Sequence, residues 1–490
     1  MFLNTAKCFC LLSFCMIALA GCTVGPTYKK PTMTIPVADA WQRAIEDEFT
    51  TNTNEVHSWW LRFDDEELVK LIEEAQKNNI TLKIAVSNLL QARAAYGVAS
   101  AKLTPVVSVK GHAERQQASD NSPTSSIIQK YKTKPVEDYA VGLDSSWELD
   151  LWGGIEKGIE AASASEGAEL EHYRDVLITI RAEVASTYIN IRVLQISKEL
   201  TKQSLATLKE MLALIESQYE QGIISKTFLE QERAMYDQNS IQLPDVEMQL
   251  VQQYAQLAIL LSTDTQTIEK RLSKISAVPR ATPEVAVGIP ADLVRRRPDI
   301  RQAERTLAAQ TALVGSAMSN LYPKLSLSGS FGYEATTVDT LIRWDSRTYG
   351  FGPTISWDIF NGNRIKNQIQ MQEEKTSEAY LNWELTVLKA LAEVEISMSN
   401  LIESGKVQDA MNDASKSLFE ALVLTKQEQE AGVVLMQSVL NVRLNFLASQ
   451  LVLVEKTGAV SNNLVALYKA LGGDWENERQ IEVTQIRNEQ

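Results

Sequence analysis

The sequence predicts a membrane protein of the α+β class, with four transmembrane-length β-strands and very long α-helices in each chain, laid out in two similar halves. Three observations carry that expectation. The chain repeats itself. Four stretches alternate apolar and polar residues over about ten positions, the length that crosses a bilayer when a strand tilts. Two stretches of about 65 residues lack proline, and the first keeps apolar residues at three- and four-residue spacing.

The repeat needs no gaps. Ala85 to Gly111 aligns on Ala303 to Gly329 with nine of 27 positions identical, at 85/303, 89/307, 94/312, 97/315, 99/317, 103/321, 105/323, 108/326 and 111/329. Chance gives about two, so the pattern is a duplication. Each half runs through a helix, a glycine, a Leu-x-Pro stop, an alternating stretch, a loop, a second alternating stretch ending in Trp, and long helices. Trp147-Glu148-Leu149 answers Trp357-Asp358-Ile359, and Ser217 to Gly222 answers Gln427 to Gly432 more loosely.

Composition narrows the function. The 490 residues are 44% hydrophobic with a net charge of −14, which excludes wholesale disorder and argues against nucleic acid as a partner. All four cysteines, Cys8, Cys10, Cys15 and Cys22, fall in the first 22 residues. The remainder therefore has no disulfide framework, thiolate metal site or cysteine nucleophile. The three histidines, His57, His112 and His172, are far apart in sequence, and no HxxxH, GxSxG, Walker A or GxGxxG pattern occurs. An enzyme is not expected, nor is a metal or other cofactor.

The chain starts with one cation, Lys7, then the apolar run Cys8 to Ala20, ending Leu19-Ala20-Gly21-Cys22. That describes a secretory signal too short to span a membrane. Leu-Ala-Gly-Cys resembles the bacterial lipobox, in which Cys22 would carry a diacylglycerol thioether and an N-acyl chain. Thr23, rather than Asp, then implies delivery to the outer membrane. No later apolar run approaches the length of a transmembrane helix.

The alternating stretches are Val107 to Glu114, Tyr139 to Leu149, Lys324 to Glu334 and Tyr349 to Ile359. One face of each is mainly apolar; the other is small or charged and includes Asp144, Glu148, Glu334 and Asp358. A half-buried sandwich would show the same alternation. In lipid, however, four strands leave open edges whose unpaired backbone groups cost several kcal/mol each. Two chains would give eight strands and a bore filled by side chains; three would give about 12 and room for water.

Gly154 to Gln221 reads as one helix of about 65 residues, roughly 100 Å long, and Asn363 to Ala431 matches it apart from an interruption at Gly405. Thr81 to Leu103 and Ser225 to Ser262, the latter kinked at Pro244, add up to nearly the same length. A fibrous coiled-coil rod would share these stripes; the strands and the duplication argue for a wall of repeated units instead.

Across nearly the whole mature chain these residues resemble the outer membrane factors of tripartite efflux and secretion systems, of TolC and OprM type, in the lipoprotein (NodT-type) branch. The resemblance is carried by Cys22 to Pro31, by Trp59-Trp60-Leu61-Arg62-Phe63-Asp64-Asp65 with the segment that follows, by Arg296-Arg297-Pro298-Asp299-Ile300-Arg301-Gln302-Ala303-Glu304, and by Leu467-Tyr468-Lys469-Ala470-Leu471-Gly472-Gly473-Asp474-Trp475. It implies a homotrimer whose strands form a 12-stranded outer-membrane β-barrel continuous with a 12-helix periplasmic α-barrel. Its partners would be a periplasmic adaptor and an inner-membrane pump of the resistance-nodulation-division class. The chain would then divide into a signal (1–21), lipidated segment (22–60), equatorial and first barrel helices (61–103), β-hairpin (104–150), long helical hairpin (151–262), equatorial linker (263–296), barrel helix (297–322), second β-hairpin (323–360), second helical hairpin (361–472) and tail (473–490).

The resemblance puts the periplasmic tip at helical turns around Gly222 and Gly432. In the family a leucine and an aspartate after the second turn narrow the closed end; Gln437 and Asn441 stand there here. Glu230 and Glu232, after the first turn, could supply the missing charge or be solvated surface. Asp144, Glu148, Glu334 and Asp358 would line an acidic, cation-favouring lumen. Two other readings stay open: the outer-membrane component of a type I protein secretion system, and a non-conducting periplasmic scaffold lipoprotein.

Overall fold

The computed structural model describes residues 23–34, 41, 49–50, 58–117, 119, 135–281, 285–286 and 296–473. Cys22, the signal, the segment 120–134 and the tail beyond 473 lie outside the described residues. In chain order the elements are β1 (Phe49–Thr50), α1 (Glu66–Asn78), α2 (Ile80–Ala101), β2 (Val106–Gln116), β3 (Val136–Leu149), α3 (Gly154–Glu220), α4 (Lys226–Ser240), α5 (Gln242–Leu261), α6 (Thr265–Arg271), β4 (Val285–Ala286), α7 (Pro298–Ser319), β5 (Lys324–Ala335), β6 (Arg347–Ser356), α8 (Arg364–Glu430) and α9 (Met436–Ala470). No described helix is long and apolar enough to cross a membrane.

The chain forms two compact units. One comprises Met1–Pro31, Leu89–Ala168 and Ala303–Trp383; the other comprises Thr32–Asn88, Glu169–Gln302 and Glu384–Gln490.

The first unit holds a four-stranded antiparallel sheet in the order β2-β3-β5-β6. Its register pairs odd positions with odd positions throughout, as in the rows Val109–Leu143–Phe331–Tyr349 and Val107–Ser145–Gly329–Phe351. Alternation of side chains therefore collects the apolar residues on one face and the charged and small ones on the other. The apolar face is open: Val109 is 75% exposed, Ile355 72% and Phe351 86%. Among the described residues nothing pairs with the outer edges of β2 and β6.

The duplication survives in three dimensions. At the foot of the sheet, the Trp147 indole donates to the Leu103 carbonyl (2.9 Å) and the Trp357 indole to the Leu321 carbonyl (3.0 Å). Each tryptophan thus satisfies an orphan carbonyl just past the end of the helix preceding its hairpin. Trp357 differs in lying just beyond β6, and Asp358 follows it off the strand. The chain has already turned there, and Asp358 pairs with Arg364 in the first turn of α8 (2.9 Å).

The helices α3 and α8 are each 67 residues long, about 100 Å at 1.5 Å per residue. Gly405 does not interrupt α8; one glycine costs about 1 kcal/mol, which a long packed helix absorbs. The expected kink near Pro244 is a break at Ile241, which leaves Pro244 in the first turn of α5, where a missing N–H costs no helical bond.

The second unit contains the larger core. Leu68, Leu71, Ile72 and Ala75 form the buried stripe of α1, and Val184, Ile189, Ile191, Leu257, Leu261 and Leu467 are likewise buried. A short parallel pairing of β1 with β4 belongs to the same unit.

Candidate functional site: sheet faces, helix turns and a charged junction

The polar face of the sheet is charged but internally paired. Lys110 lies 3.0 Å from Asp144, Lys324 3.5 Å from Glu148, and His112 3.0 Å from Asp138. Glu114 and Glu334 point to the same side, so five carboxylates face two lysines and one histidine. Of the residues expected to line an acidic lumen, Asp144, Glu148 and Glu334 share this face, whereas Asp358 lies outside the strand.

The described N-terminal residues run along the first unit. The Val24 amide donates to the Trp152 carbonyl (3.0 Å), and Thr23 packs against Gly153. Gly25, at φ +103°, crosses Gly315 of α7 so closely that a side chain on Gly25 would strike the α7 backbone. Further on, Tyr28 donates to Glu304 Oε1 (3.0 Å) and Lys30 stands 3.9 Å from Glu304 Oε2. Burial and then the Glu304 charge push the Tyr28 phenol above its ordinary range. Thr23, the neighbour of Cys22, thus sits at the helix end of the strands.

The two helical turns share one geometry. Gly222 and Gly432 have φ values of 75° and 77°. Each turn closes with the six-to-one bond of a Schellman cap, from Ile223 N to Gln218 O (2.9 Å) and from Val433 N to Glu428 O (2.8 Å). Their flanks differ. Ser225 caps α4 by accepting from Phe228 N (3.3 Å), while Leu435 leads into α9 without a side-chain cap. After the first turn Arg233 bridges Glu216 (3.0 Å) and Glu230 (3.5 Å), so Glu230 is partly neutralised, whereas Glu232 makes no ion pair among the described residues. Gln437 is half-buried and Asn441 exposed on α9. Beneath the turns Met211 and Ile215 of α3, Leu229 of α4 and Leu440 of α9 form a small buried cluster, with Leu212, Ile224 and Phe228 at its edge.

The junction at the end of α9 was legible only as unexplained strings. Trp59, 2% exposed, stacks on Tyr468 (5.4 Å, 15°) and meets Trp60 and Phe63 edge-on. Arg62 donates to the Tyr468 hydroxyl (2.8 Å), and Arg181 lies over the Trp60 ring (4.9 Å). Asp65 caps α1 through Oδ1 and accepts the Tyr188 hydroxyl on Oδ2 (2.9 Å); burial pushes that phenol up to about 12. Arg297 grips Asp299 with two bonds (3.0 and 2.7 Å), pairs with Glu393 (2.7 Å) and donates to the Ala470 carbonyl at the end of α9 (2.6 Å). Three separated strings are therefore one packed structure: the tryptophan string and the arginine string both close on the last turn of α9. Nearby, Glu171 receives Arg174 and Arg301 (2.7 Å each). Burial, then Asp299, raises the Asp175 carboxyl, against the opposing pull of Arg297, Lys469 and His172. Only long-range pairing reveals these roles; no local pattern could.

No group of side chains that could hold a metal ion occurs among the described residues. The model of one known family, described as outer membrane efflux protein, matches residues 71–263 and 289–473. The chain belongs to the outer membrane efflux protein family. Both copies of the internal repeat fall inside the match, and members of this family are efflux proteins of the outer membrane. The solvent efflux pump outer membrane protein SrpC of Pseudomonas putida is 30% identical over 472 residues, covering 94% of this chain and 97% of SrpC. The solved outer-membrane channel OprN superposes with a TM-score of 0.80 at 26% identity, covering 93% of this chain and all of that one. The Campylobacter jejuni CmeC outer membrane channel gives a TM-score of 0.85 over 96% of this chain and 98% of its own; at 24% identity it speaks for the fold alone.

Proposed function

We propose that this efflux protein is the exit duct of a tripartite resistance-nodulation-division system, conducting small amphiphilic compounds through the outer membrane without chemical change. Three copies would close the sheet into a 12-stranded barrel and the long helices into a 12-helix periplasmic tunnel, with Cys22 lipidated in the inner leaflet of the outer membrane. The observation that carries this reading is the sheet of the first unit. Among the described residues its apolar face is exposed along the strands and both edges are open, a state tolerable in lipid only if other copies complete the barrel.

Exposed Ile223, Val433 and Leu435 at the helical turns give a periplasmic adaptor an apolar surface to dock on, and the pump would lie beyond it. Gln437 and Asn441, with Glu232, are the candidate gate. The excess of carboxylates over lysines on the polar face favours a cation-preferring lumen despite the Lys110 and Lys324 pairs. The solvent exporter among the relatives supports small apolar compounds rather than proteins as cargo.

The test is a deletion strain complemented with the full-length gene. Raised susceptibility to solvents and amphiphilic antibiotics, with dye retained in the cells and both restored on complementation, is the expected result. Unchanged susceptibility together with loss of an exported protein would replace this reading with protein secretion.

A further inference from the structure

We infer that the outer end of the apolar sheet face is a binding site for lipopolysaccharide, with acyl chains lying in a groove of the sheet and a phosphate held by Arg347. The inference rests on the channel reading, which sets this face against lipid. The groove comes from the register. In the row Val107–Ser145–Gly329–Phe351 the two central positions are small, while the next row, Val109–Leu143–Phe331–Tyr349, is tall. The resulting hollow has a volume of about 580 Å³, is lined mainly by apolar groups, and has Trp344 and Arg347 at one end.

Arg347, Tyr349 and Phe351 alternate along β6 and so project from the same face. The Arg347 guanidinium lies 4.6 Å above the Trp344 ring, and its Nη1 donates to the Trp344 carbonyl (2.9 Å). This fixes the group while leaving other N–H donors free, and Arg347 makes no ion pair among the described residues. A guanidinium fork is matched to phosphate oxygens and stays charged in a partly apolar setting. Arg115, on the same face, stands 3.7 Å from Glu137, which partly neutralises it.

Height along the strand selects the leaflet. Arg347 is eight residues from Ile355, about 27 Å along the strand at roughly 3.4 Å per residue and about 21 Å across the bilayer at the ~40° tilt of such strands, most of the ~25 Å apolar band of outer-membrane barrels. Ile355 lies at the helix end of the sheet, where Thr23, the neighbour of the lipidation site, packs on Gly153. That end belongs to the periplasmic leaflet, so Arg347 and Trp344 stand at the headgroup level of the outer one. The phosphorylated, many-chained glycolipid of that leaflet matches a cationic rim above an apolar trough.

The experiment is native mass spectrometry of the purified full-length protein in detergent, titrated with rough-type lipopolysaccharide, the same lipid with its phosphates removed, and phosphatidylglycerol. Intact lipopolysaccharide should bind about tenfold more tightly than the dephosphorylated form, the scale of one charge-assisted contact. Arg347→Gln should abolish that difference, Arg347→Lys should keep most of it, and Arg115→Gln should leave it unchanged. Trp344→Ala, in an exposed loop, should weaken binding by a smaller factor. The proposal is overturned if Arg347→Gln binds the intact lipid as the unaltered protein does, or if phosphatidylglycerol binds as tightly as lipopolysaccharide. Susceptibility of strains carrying Arg347→Gln separates the two readings. Efflux retained with lipid binding lost supports the site; Arg347-dependent binding by a protein without export activity would overturn the duct and keep the site.

Discussion

The sheet of the first unit and the junction at the end of α9 in the second are stabilised in opposite ways. The junction is complete within one chain: Trp59 is buried against Tyr468, Arg297 is held by Asp299, Glu393 and the Ala470 carbonyl, and Asp65 serves both a helix start and Tyr188. Among the described residues the sheet is incomplete, its apolar face exposed and its outer edges unpaired. Ordinary intramolecular packing holds the junction, whereas the sheet, in the proposed duct, depends on a lipid environment and further copies of the chain.

Substitutions should separate the two. Trp59→Ala removes a fully packed indole and its stacking partner, and should lower the unfolding free energy by about 4 kcal/mol in detergent and in membranes alike. Thermal melts of the purified protein in both settings would show the drop; a loss confined to membranes would place Trp59 outside the intramolecular core. Phe351→Arg should behave the other way. Phe351 lies midway between Ile355 and Arg347, near the bilayer midplane, so the charge should cost about 2–3 kcal/mol in lipid and less in detergent, whose micelle covers the same face but deforms more easily around a charge. No cost in lipid would mean that this face does not meet it.

A smaller effect tests the junction's electrostatics. The folded Asp175 carboxyl titrates above its unfolded value, so between those two values the native state binds more protons. Its destabilisation is complete above the folded value and is relieved as the pH falls through it. Acidification from neutrality should therefore raise the melting temperature, and Asp175→Asn should flatten that rise. An unaltered slope would mean that Asp175 does not carry that rise.

Local pattern made the sheet legible. Period-two alternation locates the strands of both hairpins, because register gathers most of the apolar side chains on one face; the last stretch reads longer than the strand because Trp357 and Asp358 continue the alternation after β6 has ended. The long helices were legible from missing prolines, and the two turns from glycines that the structure holds at positive φ. The lysine and histidine partners of the acidic face were less visible, since Lys110–Asp144 and Lys324–Glu148 are diagonal cross-strand pairs that need the register first. The junction was not legible at all as structure. Its residues are separated by up to some four hundred positions, as with Arg62 and Tyr468, and only folding shows why they stand where they do.

The central claim is that the polar face of this sheet borders water and the apolar face borders lipid. The chain offers a clean way to ask, because its only cysteines are the four in its first 22 residues. Single cysteines placed along β5 in intact cells, treated with a charged thiol reagent, should label at Ser326, Ser328 and Ser330 and be protected at Leu325, Leu327 and Phe331. Uniform labelling, or protection of the serine positions, would contradict the account.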